Sequence, residues 1–101
     1  MSAFERIVRV RLSGRVQGVG FRAFIQRHAE ARGVVGWVRN RRDGDVEAVF
    51  AGSEHAVAAL CEACRRGPLN AFVARLDVED ADCAAFEEAD AARAFLQRAT
   101  R

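Results

Sequence analysis

The hydrophobic period of the chain changes abruptly across residues 14–22, Gly14-Arg15-Val16-Gln17-Gly18-Val19-Gly20-Phe21-Arg22. Before this segment Val8, Val10 and Leu12 alternate with Arg9 and Arg11, the pattern of a strand with one covered face over roughly 6–13. After it Phe21, Phe24, Ile25, His28 and Ala29 recur at helical spacing, predicting a helix over 21–32 that Gly33 ends. Any strand parallel to the first must then be reached by a crossover through that helix. The three glycines let successive backbone N–H groups turn inward around an anion without Cβ obstruction. Arg22, in the first helical turn, adds a permanent cation whose planar fork holds two oxygens at once. The helix N-terminus contributes partial positive charge of its own.

The following elements decide which crossover fold this is. Residues 34–40 read as a second strand, and Asp43-Gly44 marks a tight hairpin turn into a third over 46–51, ending at Gly52. Ser53 caps a second helix with an apolar stripe of Val57, Leu60, Cys61 and Cys64, terminated by Gly67-Pro68. A fourth strand covers about 72–79, residues 80–94 read as a loop or short helical turn, and residues 95–100 as a terminal edge strand. The order βαββαβ predicts an α+β fold, two split units in an antiparallel-rich sheet with both helices on one face. In that arrangement the first two strands are parallel, so the glycine segment and Asn40 emerge at the same sheet edge. Asn40 also shares parity with Val38, Gly36 and Val34, which turns it toward the face of the first helix. The two converge on one anion.

Competing readings of the glycine segment are testable against the sequence. A Walker A loop requires Lys, and the chain contains none. Gly18-Val19-Gly20-Phe21-Arg22-Ala23, with Asp43 about 20 residues beyond, fits a dinucleotide fingerprint, but the tight antiparallel hairpin that follows does not suit a dinucleotide fold. A turn serving geometry alone is the remaining alternative. Charge favours an anionic ligand: residues 1–44 hold ten arginines against Glu5, Glu30 and Asp43, whereas residues 45–101 hold six against eleven acids. Sixteen arginines and no lysine also reflect a compositional bias.

Other chemistries find little support. Cys61-Glu62-Ala63-Cys64 spells C-x-x-C, but no second Cys or His pair lies at zinc spacing, and three cysteines read as free thiols. His28 occupies a boundary position suited to packing. An RNA-binding module shares the element order, but it stacks bases on sheet aromatics, and only Phe50 stands in the first and third strand runs. Residues 1–6 lack the plan of a signal peptide, and no run approaches the roughly 20 apolar residues that span a bilayer. One domain over 1–101, cytoplasmic and monomeric, is expected.

Residues 14–22, then Gly36-Trp37-Val38-Arg39-Asn40 followed by Asp43-Gly44-Asp45-Val46-Glu47, then Gly67-Pro68, resemble the acylphosphatases. The resemblance covers about residues 6–80, with an echo in 95–100. It implies a ferredoxin-like α/β sandwich that hydrolyses a carboxyl-phosphate anhydride to a carboxylate and inorganic phosphate. By motif, Arg22 is then the phosphate-binding arginine and Asn40 orients the attacking water. The phosphate-binding segment is Arg15, Val16, Gln17, Gly18, Val19, Gly20, Phe21 and Arg22. No cofactor or metal is implied, and the partners are a small acyl phosphate and inorganic phosphate, with no nucleic acid or membrane. The chain departs from the family pattern at Gly20, where an aromatic residue is common, and at Arg41, which places an extra cation beside Asn40. A domain that binds the anion without turnover, or one specialised for a substrate such as carbamoyl phosphate, stays open.

Overall fold

The computed structural model describes residues 4–101, so part of the signal-peptide reading, residues 1–3, lies outside it. The elements follow the order expected: β1 (Arg6–Arg15), α1 (Phe21–Ala31), β2 (Val35–Asn40), β3 (Val46–Gly52), α2 (Glu54–Arg66), β4 (Phe72–Asp80) and β5 (Phe95–Gln97). They form one five-stranded sheet in the order β4-β1-β3-β2-β5. Among the described residues the β2–β5 pair is parallel, and β1–β3, β1–β4 and β2–β3 are antiparallel. Since β3 runs against both β1 and β2, those two strands are parallel to each other, as the α1 crossover requires. This is the ferredoxin-like α/β sandwich.

Both helices pack on one face. Val8, Val10 and Leu12 of β1, Val38 of β2, and Val46, Ala48 and Phe50 of β3 meet Phe21, Ile25 and Ala29 of α1 and Val57, Leu60 and Cys64 of α2 in one buried cluster. Each large side chain buried there contributes about 1.5–3 kcal/mol. Phe50, the aromatic weighed for base stacking, is fully buried in this layer. Ser53 accepts a 3.1 Å bond from Ala56 N–H and caps α2 as expected. Cys64 lies fully buried on the helix stripe while Cys61 is half-buried.

Residues 80–94 resolve into two short 3-10 turns, Cys83–Phe86 and Ala89–Ala92. They cover part of the opposite sheet face, where Ala85, Phe86 and Ala91 bury Trp37, Val49 and Ile7. The Trp37 indole N–H donates to Ala85 O at 2.8 Å, satisfying its buried donor. Beside it Arg39, buried, bonds Glu47 at 3.0 Å and stands 4.4 Å from the Trp37 ring centre. Glu47 also accepts from Arg9 at 2.8 Å and from Arg41 at 3.1 Å. Burial pushes the Glu47 carboxyl up, but its arginines outweigh that and hold it below the usual carboxylate range.

β5 is shorter than the run expected over 95–100, yet its backbone keeps following the β2 edge. Arg98 N–H donates to Val38 O at 2.8 Å, Arg101 N–H to Asn40 O at 3.1 Å, and Arg42 N–H to Arg101 O at 3.2 Å. The wider spacing of these bonds breaks the regular ladder.

Candidate active site

β1 extends to Arg15, so the segment between strand and helix shortens to residues 16–20. Gly14 consequently serves the sheet. A Cβ on it would lie 2.3 Å from Phe72 O, at a register shift where β1 approaches β4. The two glycines left in the loop, Gly18 and Gly20, have φ of 74° and 78°, with open space where a Cβ would stand. They are there for the left-handed backbone, not for close packing.

Among the described residues, the backbone N–H groups from Gln17 to Ala23 donate to no protein acceptor; the first bond of the helix is Phe24 N–H to Gly20 O at 3.0 Å. α1 has no side-chain cap at Gly20 and no acidic residue in its first turn. A helix start this bare of internal anions leaves its donors and dipole for an external one. Arg22 is half-buried and, among the described residues, has neither a carboxylate nor a hydrogen-bond partner. A cation placed against the helix dipole without compensation costs stability unless an anion arrives.

Asn40 closes the arrangement. Val16, Gln17, Gly18, Gly20, Phe21, Arg22, Ala23, Asn40 and Gln97 line one shallow pocket of about 170 Å³. That is below the roughly 300–1,000 Å³ of sites enclosing drug-sized ligands, and suits a small anionic head group. The Asn40 side chain has no hydrogen-bond partner among the described residues and faces the helix side of the sheet, as its parity with Val38 implies. A depression of about 440 Å³ on the helix-free face is larger, but its Arg9 and Arg11 are already bonded to Glu47 and Asp45. The small pocket is where unpaired donors converge.

A family model for acylphosphatases matches residues 8–90, spanning the loop, Arg22 and Asn40. The chain belongs to the acylphosphatase family. It is 56% identical over 77 residues to the acylphosphatase of Rhodopseudomonas palustris (strain BisB18), covering 76% of each chain. It is 51% identical over 79 residues to that of Rhizobium etli, covering 78% of this chain and 84% of the relative. The solved structure of an acylphosphatase from Coxiella burnetii matches with a TM-score of 0.82 and 33% identity, covering 97% of this chain and 100% of that one. As an acylphosphatase, the enzyme hydrolyses the carboxyl-phosphate bond of acyl phosphates.

Not every acylphosphatase motif residue faces the pocket. Arg15 ends β1 opposite Phe72 and is exposed, and Val19 packs against the helix-side core. Arg41 is not the extra site cation expected from its place after Asn40. Alternation carries it to the other face, where its guanidinium is held by Glu47. Gln97 was invisible to sequence reading, because only the parallel pairing of β5 with β2 brings it beside the site. Its amide donates to Gln26 Oε1 at 2.7 Å.

Among the described residues no group of three or more His, Cys, Asp or Glu is placed to hold a metal ion. Burial pushes the Cys64 thiol well above its ordinary value and raises that of Cys61 as well, keeping both protonated. His28 packs on Phe24 with ring centres 4.2 Å apart, and burial followed by the charges of Arg32, Arg27 and Arg66 lowers its pKa. No described helix is long and apolar enough to cross a membrane.

Proposed function

We propose that the phosphoryl group of the acyl phosphate is held by the backbone donors of residues 16–21 and by Arg22, and that Asn40 orients the attacking water. The observation carrying this reading is that Arg22, Asn40 and the unpaired loop donors share one small pocket. Water attacks phosphorus in line, the bond from phosphorus to the acyl oxygen breaks, and the carboxylate leaves with the electron pair. The water's proton passes to a non-bridging phosphoryl oxygen. The conjugate acid of the leaving group has a pKa of about 4, so no general acid is required at neutral pH. Positioning and electrostatic stabilisation of the equatorial oxygens are what phosphoryl transfer chiefly demands, and a backbone nest with one arginine supplies both. The same site is a poor catalyst for an unactivated phosphate ester, whose alkoxide leaving group does need a proton.

The reading is tested by phosphate release from a simple acyl phosphate with Asn40→Ala and wild-type protein, in the presence of chelator. Chelation leaves the wild-type rate unchanged and inorganic phosphate competes with substrate. Asn40→Ala lowers kcat by about 10²-fold or more, as for loss of one preorganised polar group, with phosphate affinity near wild type. Folded Asn40→Ala protein with near-normal turnover refutes the assignment, and so does activity that returns only with a divalent ion.

A further inference from the structure

We infer that the side chain of Gln17 is a positioning residue that sets the distance between the phosphate loop and Asn40, and does not itself bind phosphate. The inference rests on the roles proposed above for the loop and for Asn40. Gln17 belongs to the loop between β1 and α1, whereas Asn40 ends β2, a strand separated from β1 by β3. The geometry of in-line attack thus depends on two elements that are not sheet neighbours. The Gln17 Nε2 spans them, donating one hydrogen to Arg41 O at 2.7 Å and the other to Asp45 O at 2.8 Å. Both partners are carbonyls, so the nitrogen, and not the oxygen, must face the hairpin. Among the described residues, no other side chain of residues 16–23 donates to the hairpin.

The hairpin does not need Gln17 for its own integrity. Arg41 O already accepts from Gly44 N–H at 3.1 Å, and Asp45 O from Arg41 N–H at 2.8 Å. Asp45 N–H donates to Asp43 Oδ1 at 3.0 Å, and Arg11 on β1 binds the carboxylates of Asp43 and Asp45 from the helix-free side. Removing the Gln17 amide therefore leaves no carbonyl without a donor, and the expected loss is one of registration. Asn40 immediately precedes Arg41, so a shift of the Arg41 carbonyl moves the water-holding amide against the phosphorus. Misplacement by about 1 Å costs about 10²-fold in rate.

The test uses Gln17→Met, of similar length without donors, and Gln17→Asn, which keeps an amide one methylene too short. For each, kcat falls by about 10-fold or more while the inhibition constant of inorganic phosphate stays within about 3-fold of wild type. Near-normal phosphate binding also certifies that the loop is folded. In the Asn40→Ala background, Gln17→Met lowers kcat no further, because the residue it positions is gone. Parallel losses of phosphate affinity and kcat, an undiminished Gln17→Met effect without Asn40, or unchanged kcat in both single variants would overturn the inference. Asn40→Ala protein with normal turnover would instead overturn the reading beneath it.

Discussion

Replacing Arg22 by alanine separates what the site contributes to ligand binding from what it costs the fold. The guanidinium has no carboxylate partner among the described residues, so its removal orphans no buried charge. It sits in the first turn of α1, where a cation opposes the helix dipole by about 0.3–1 kcal/mol. That relief, less the packing of its half-buried stem, leaves the ligand-free variant as stable as wild type or slightly more so. Binding behaves differently. A charge-assisted hydrogen bond is worth about 1.5–3 kcal/mol, and each 1.4 kcal/mol is tenfold, so phosphate affinity falls by about 10- to 100-fold. Thermal unfolding with and without phosphate reads both quantities. Phosphate at about 100 times the wild-type Kd adds about 2.7 kcal/mol, or roughly 10–20 °C in Tm for a domain of this size. A 30-fold weaker variant at the same phosphate concentration retains only about 1 kcal/mol, or roughly 4–8 °C. The kcat/KM falls further, by about 10²- to 10³-fold, because charge redistributes on the oxygens in the transition state. An unchanged phosphate shift in the variant, or a ligand-free variant destabilised by more than about 2 kcal/mol, refutes the reasoning.

Three further outcomes follow from the packing. Gly36 has φ of 135° and a Cβ there would lie 1.9 Å from Val49 O, so Gly36→Ala costs about 3 kcal/mol or more by denaturant unfolding; a loss under about 1 kcal/mol would contradict the close β2–β3 approach. The carboxyl of Asp45 is lowered by the hydrogen bond from Arg11, and those of Glu47 and Glu87 by arginines that outweigh burial. Groups depressed in the folded state stabilise it fully above their ordinary pKa, near pH 4, and lose that contribution as pH falls below it, so a chemical-denaturation series flat to pH 3 would count against the network. Thiol reagents label exposed Cys83 ahead of Cys61 and Cys64, and Cys61→Ala/Cys64→Ala protein keeps its turnover within about 3-fold at a stability cost of about 1–2 kcal/mol; a hundredfold loss in folded protein would give those thiols a role in the chemistry.

Local pattern determined most of the scaffold and, through it, the meeting of the site residues. Period-2 alternation in β1, the helical stripe from Phe21 to Ala29, Ser53 as a cap and Asp43-Gly44 as a turn each act on neighbours in sequence, and the element order then forces β1 and β2 to run parallel. Parity placed Asn40 on the helix side, and the same alternation explains why Arg41 leaves for Glu47. What tertiary structure alone decided are pairings between segments far apart in the chain. Residues 80–94 carry no strong period, and their role appears only when Ala85, Phe86 and Ala91 cover Trp37. Gln97 reaches the pocket because β5 joins the β2 edge, a choice of partner that a three-residue strand does not encode. Gln17 reads as one more loop residue until its amide is seen between two hairpin carbonyls. Periodicity records which face a residue turns toward the core, whereas the partner across that face is selected by the packing of the whole sheet.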